Sequence, residues 1–153
     1  MDKISLRAVK QDGTSLQYIK NQTEEVCLEA TRQDGRAIKF VKNQTLELCL
    51  EAVRQNGYAL RYVKNQTERV CLEAVKKNGM ALRFVRNQTH EICCEAVKEF
   101  GGALQYVKNQ TYEICLETIN KWTSAVEFIR DPLTKQKIIE ELGIKEWLES
   151  IGR

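Results

Sequence analysis

The sequence predicts an all-α fold, an αα-solenoid of six 22-residue helix–turn–helix repeats with a C-terminal helical cap. Three observations predict it. The tripeptide Asn-Gln-Thr begins at Asn21, Asn43, Asn65, Asn87 and Asn109, 22 residues apart each time. Between these marks apolar residues recur at helical spacing, and a glycine divides each of the first five units at its thirteenth position. Self-similarity at this period is the signature of stacked repeats, in which each unit buries its apolar face only against its neighbours. With Thr as position one, the units run 1–22, 23–44, 45–66, 67–88, 89–110 and 111–132, with a cap over 133–153, in one repeat domain.

Each unit opens on a helix. Thr is a good N-cap because its hydroxyl accepts from an otherwise orphaned amide. Glu25, Glu47, Glu91 and Glu113 at position three fall in the first turn, where the helix dipole favours negative charge. Positions four, five, eight and nine, such as Leu48, Cys49, Ala52 and Val53, form an apolar stripe, widened by Leu50. Gly13, Gly35, Gly57, Gly79 and Gly101 are expected to supply the left-handed residue that ends this helix, with Trp122 and Thr123 replacing the turn in the last unit. A shorter second helix, Tyr58 to Lys64 in the third unit, puts Ala59, Leu60, Tyr62 and Val63 on one face and Arg61 and Lys64 on the other. Seven residues do not form a helix alone in water, so neighbouring units must hold this segment.

After the sixth unit, Arg130-Asp131-Pro132 replaces Lys-Asn-Gln. Thr134 is expected to cap a helix through Leu142, stopped by Gly143, and Ile144, Trp147, Leu148 and Ile151 suggest a final amphipathic turn or two. At the other end, Asp2 is the expected cap of the first helix. Nothing comparable covers that helix's apolar face, which makes it a candidate for end-to-end self-association.

A chain 42% hydrophobic and 29% charged, with one proline, fits an ordered globular protein. The N-terminal MDKISLRAVK carries charges where a signal peptide needs an apolar core, and no apolar run is long enough to span a membrane. These features predict a cytoplasmic protein with no membrane partner.

The string C-L-E-A-V-R-Q-N-G-Y-A-L-R-Y-V-K-N-Q-T, from Cys49 onward in pattern, resembles short tandem repeats of a family of unknown function, of the LCLEAVKQNGxALxYV type. Those repeats are at home in giant viruses of amoebae and in amoeba-associated bacteria. The resemblance covers residues 1–130 and leaves 131–153 outside it. It implies an all-helical interaction module and brings no catalytic residue with it.

Chemistry-bearing residues have plain structural readings. Cys27, Cys49, Cys71, Cys93 and Cys115 share one slot in successive units, and Cys94 replaces a leucine. Stacked helices lie about 8–10 Å apart, beyond the roughly 7 Å reach of a disulfide, so core thiols are expected. A redox-active Cys93–Cys94 pair is the alternative, without an activating neighbour to favour it. His90, the only histidine, completes no zinc site or catalytic constellation, so neither metal, cofactor nor enzymatic activity is expected. Asn-Gln-Thr is also a glycosylation sequon, but without a signal peptide it reads as link and cap. Glu29, Glu51, Glu73, Glu95 and Glu117 precede Arg32, Arg54, Lys76 and Lys98 by one turn, which suggests ion pairs within each helix.

Two surface patterns remain. Positions seventeen and twenty are mostly basic, and Lys39, Lys42, Arg61, Lys64, Arg83 and Arg86 are the densest part of that ladder. It is either a track for nucleic acid or another polyanion, or a solvated face complementing helix dipoles; a net charge of only +3 favours the second. Positions two and fourteen vary between units, and Leu46, Tyr58, Met80, His90 and Tyr112 are apolar or aromatic where sister units are polar. Variable slots on a fixed frame are how repeat proteins tune a binding surface. The expected function is a non-enzymatic scaffold that binds another protein along its length, with nucleic-acid binding as runner-up and a self-assembling rod as a distant third.

Overall fold

A computed structural model describes residues 3–152, which leaves the expected cap Asp2 outside the described residues. All regular structure in that range is helical. Six α-helices, α1 (Lys3–Gln11), α2 (Glu24–Gln33), α3 (Leu46–Gln55), α4 (Glu68–Lys77), α5 (His90–Glu99) and α6 (Tyr112–Lys121), form one layer. Each is followed by a six-residue 3₁₀ helix: η1 (Gly13–Tyr18), η2 (Gly35–Phe40), η3 (Gly57–Tyr62), η4 (Gly79–Phe84), η5 (Gly101–Tyr106) and η6 (Thr123–Phe128). Each of these α-helices packs on the next, each η on the next η, and each of η1 to η5 on the following α, so the units stack as a solenoid. The core lies between the two layers, with Leu48, Cys49, Ala52 and Val53 from α3 meeting Ala59, Leu60 and Val63. None of the described helices is long and apolar enough to cross a membrane.

The Thr caps are as expected: the Leu48 amide donates to Thr45 Oγ1 at 3.3 Å, and Thr23, Thr67, Thr89 and Thr111 do likewise. The return leg is a 3₁₀ rather than an α-helix, and length explains it. A ten-residue α-helix rises about 15 Å, whereas six residues of α-helix would return only about 9 Å; the 3₁₀ rise of about 2 Å per residue recovers about 12 Å. Extended residues such as Val63 (φ −72°, ψ 121°) complete the return.

The dividing glycines do not end their helices in the left-handed region. Among the described residues only Gly143 and Gly152 have positive φ. The reversal is made instead by an extended residue, such as Asn56 (φ −148°, ψ 108°), whose Oδ1 accepts from the Tyr58 amide at 3.0 Å. Close approach is what requires the glycine. A Cβ on Gly57 would sit 2.6 Å from the Ala74 carbonyl oxygen of the next unit, and on Gly35 2.4 Å from that of Ala52. Gly101 instead faces Trp122, the bulky replacement in the last unit.

The joint between units is a glutamine. Gln44 Nε2 donates to the Ile38 carbonyl of its own unit (3.0 Å) and to the Tyr62 carbonyl of the next (3.1 Å), while its Oε1 accepts from the Lys64 amide (2.9 Å). Gln22, Gln66, Gln88 and Gln110 repeat the arrangement. The acceptors are carbonyls at the C-terminal end of a short helix, which its own ladder leaves underused. The cation at position twenty adds a second tie: Lys42 Nζ donates to the Lys20 carbonyl at 2.7 Å, and Arg86 Nη1 to that of Lys64 at 2.7 Å. The position-seven glutamates also pair between units, not within a helix. Arg54 Nε lies 2.9 Å from Glu73 of the next unit, with Arg32–Glu51 and Lys98–Glu117 in the same relation. Stacking brings position ten of one helix closer to position seven of its neighbour than to its own.

At the C-terminal end, α7 (Pro132–Leu142) packs on α6 and α8 (Lys145–Ser150) follows it, with Ile138 and Leu148 buried. The cap of α7 is Asp131, whose carboxylate accepts from the Thr134 amide at 2.8 Å, and not Thr134 as expected. With Pro132 at the first helical position, the cap has to precede it. Gly143 does end this helix in the left-handed conformation (φ 61°). At the N-terminal end Ile4 is 83% exposed, while its equivalents Val26, Leu48, Val70, Ile92 and Ile114 are buried against the preceding unit.

Two stability predictions follow from the joints. Gly57→Ala should cost about 3 kcal/mol in urea unfolding, because a backbone carbonyl must give way, whereas Gly143→Ala, with open space but positive φ, should cost about 1 kcal/mol. Equal tolerance at both sites would show that close packing is not what position thirteen requires. Gln44→Glu keeps the shape but turns a carboxylate toward two carbonyls, and should cost about 2–4 kcal/mol at pH 7. The folded-state pKa of that new carboxyl would be raised, so the deficit should shrink as pH falls toward 4 and grow as pH rises. A variant as stable as the parent at pH 7 would remove the glutamine from its role.

Candidate docking surface

The outer side of the η layer gathers most of the chemistry that nothing internal uses. In a 3₁₀ helix residues three apart lie above one another, so positions fourteen and seventeen share a side. Lys39 Nζ lies 5.5 Å from the Phe40 ring centroid and 5.7 Å from that of Tyr62 in the next unit. Arg61 stands between Tyr62 (5.0 Å) and Phe84 (5.6 Å), and Arg83 between Phe84 (5.0 Å) and Tyr106 (5.7 Å). Tyr58 meets Phe84 edge-on, with ring centroids 5.9 Å apart. Cations and half-buried rings therefore alternate along the rod, and none of the ion pairs among the described residues involves Lys39, Arg61 or Arg83.

The six cations of the basic ladder divide into two sets. Lys39, Arg61 and Arg83 present their charge outward against aromatic faces. Lys42, Lys64 and Arg86 are exposed along their length, but their heads hold carbonyls of the preceding unit. The variable slots also divide. Tyr58 and Met80 belong to the η side, beside the stripe. Leu46, His90 and Tyr112 begin their α-helices, about 15 Å of helix away from position twelve. Leu46 is exposed there, and His90 Nε2 lies 3.3 Å from Cys94 Sγ. Tyr112 is taken by the cap: its hydroxyl donates to Glu141, and Lys137 Nζ sits 4.2 Å over its ring. The sequence reading missed the aromatic column at position eighteen, counting Tyr62 with the core. Its signal was present in the dipeptides Lys39-Phe40, Arg61-Tyr62 and Arg83-Phe84.

A family model described as a domain of unknown function (DUF4116) matches over residues 3–46, 23–68 and 45–89. The chain belongs to this family. Each DUF4116 match spans two units and contains one complete joint; residues 23–68, for example, include Gln44 with both of its carbonyl acceptors. The family motif is thus a pair of layers. Neither a curated protein nor a solved structure matches the chain.

The remaining reactive groups of this DUF4116 chain are sequestered. All six cysteines are free and buried, and burial pushes every thiol above its ordinary range. Cys93 goes up to about 11, through burial first and then the neighbouring Cys94. A thiol held protonated is a poor nucleophile. Several thiols point at the joint, with Cys93 Sγ 3.6 Å from Gln88 Oε1.

Ellman's reagent should therefore leave the native protein untouched and titrate all six thiols on denaturation. Because a folded thiol near 11 replaces an unfolded one near 9, its contribution is intact below pH 9 and lost as pH rises toward 11. The thermal midpoint should fall across that window under reducing conditions, less steeply in Cys93→Ala. Parallel slopes would show that Cys93 carries no such linkage.

Proposed function

We propose that the chain is a non-enzymatic scaffold that docks another protein on the outer side of its η layer. The observation that carries this reading is the stripe itself: Lys39, Arg61 and Arg83 stand between rings of successive units, unpaired with any carboxylate among the described residues. A guanidinium on an aromatic face keeps its charge and donors available, and such residues anchor interfaces. Tyr58 and Met80 add apolar area beside them, a mixture that suits a polypeptide better than a bare phosphate chain.

Nucleic-acid binding is supported by the same alternation, since bases stack on exposed rings between cations. With Lys42, Lys64 and Arg86 engaged on carbonyls, about three cations are left to meet phosphates, for a salt slope of only about −2 on a single strand.

Capture from nuclease-treated native extract separates the two readings. The full chain should retain a protein partner that is lost when Lys39, Arg61 and Arg83 become Gln, and lost again in Tyr58→Ser/Met80→Ser, with helicity unchanged in both. A bound fraction that vanishes on nuclease treatment, or that survives the triple change, would overturn the docking surface.

A further inference from the structure

The period of the stripe says what kind of segment fits it. Each cation touches the ring of its own unit and the ring of the next, so one cation and one ring recur at every repeat step. A step between packed helical layers is about 8–10 Å. A polyproline-II strand advances about 3.1 Å per residue with three residues per turn, so one face recurs about every 9.3 Å. A β-strand repeats a face about every 6.7 Å and drifts out of step within two units. Helical partners return a face only approximately, every seven residues or about 10.5 Å.

Charge decides what that face carries. The cations of position seventeen run through three consecutive units, Lys39, Arg61 and Arg83, with Gln17 and Gln105 on either side. Between them lie the half-buried rings of Tyr62 and Phe84, with Tyr58 edge-on to the second. Ring surfaces of this kind accept pyrrolidine rings, and a polyproline-II segment arrives with little conformational entropy left to lose.

Building on the docking reading above, we propose that the stripe from Phe40 to Tyr106 is a track for a polyproline-II segment of a partner protein carrying a carboxylate at every third residue. Successive carboxylates meet Lys39, Arg61 and Arg83, and the intervening residues lie against Tyr62 and Phe84. Because the joints fix the spacing of the units, the track reads the period of the ligand's charges as well as their number.

The test uses fluorescently labelled peptides and the full chain at physiological salt. The first probe is built of Glu-Pro-Pro triplets; the second has the same composition with its glutamates adjacent. A third is an alanine-rich helical peptide with glutamates seven apart, and the last is oligothymidylate. The triplet peptide should bind at least about tenfold more tightly than its isomer and than the helix, a gap of about 1.4 kcal/mol. Lys39→Gln/Arg61→Gln/Arg83→Gln should abolish that preference while circular dichroism stays unchanged. Equal binding of the two isomers, lost in the triple variant, overturns the register but leaves the docking surface standing, as does tighter binding of the helical peptide. Failure of the triplet peptide to bind overturns the register as well, and tighter binding of oligothymidylate overturns both readings.

Discussion

The amide of Gln44 gives one proton to its own unit and the other to the next, and its oxygen receives the Lys64 amide. Sliding one layer against its neighbour would break the bonds to the Tyr62 carbonyl and the Lys64 amide, at a cost of about 1–3 kcal/mol for each group left unpaired. The small residues on either side of the joint follow from that demand. Gly35 and Ala52 let the layers close until a glycine Cα faces a carbonyl oxygen, the separation at which the glutamine reaches both units. Cys49, buried beside the same amide, fits this small apolar slot and donates weakly to Gln44 Oε1.

Fixed registry turns a repeated sequence into columns. Every side chain at a given position lies over its equivalent in the next unit, so a choice made in one dimension becomes a line in three. Positions ten and seven become the line of ion pairs Arg32–Glu51, Arg54–Glu73 and Lys98–Glu117. These are half-exposed and add little stability individually. Positions seventeen and eighteen become alternating cations and rings, and position twenty becomes a row of cations turned inward onto carbonyls. Two lines of basic residues that look alike in sequence thus differ in purpose: one joins layers, and the other faces outward.

What could be read beforehand was whatever lies within one unit. The period, the Thr caps, the buried faces of α3 and its equivalents, and Gly143 all depend on neighbours a few residues away. What could not be read lies between units. Asn56-Gly57 has the composition of a left-handed turn, and only the approach of Ala74 shows why glycine is needed. Glu73 is one helical turn from Lys76, yet its partner is Arg54, nineteen residues back. Tyr112 varies among its equivalents as a contact residue would, but its variation answers to Glu141 in the cap. The aromatic column was hidden because a half-buried ring looks like core in a periodic pattern.

The sameness of the joints has a consequence for how such a chain changes over generations. Gln22, Gln44, Gln66, Gln88 and Gln110 make equivalent connections, so any layer's leading face matches any other's trailing face. An in-frame duplication of one unit in the gene inserts a layer that already fits on both sides, and a deletion lets the flanking layers close on each other. The sixth unit, with Trp122 against Gly101 and Tyr112 bonded to Glu141, and the segment from Asp131 onward are tied to a place in the order. Length is therefore free to drift by whole units while the core stays intact.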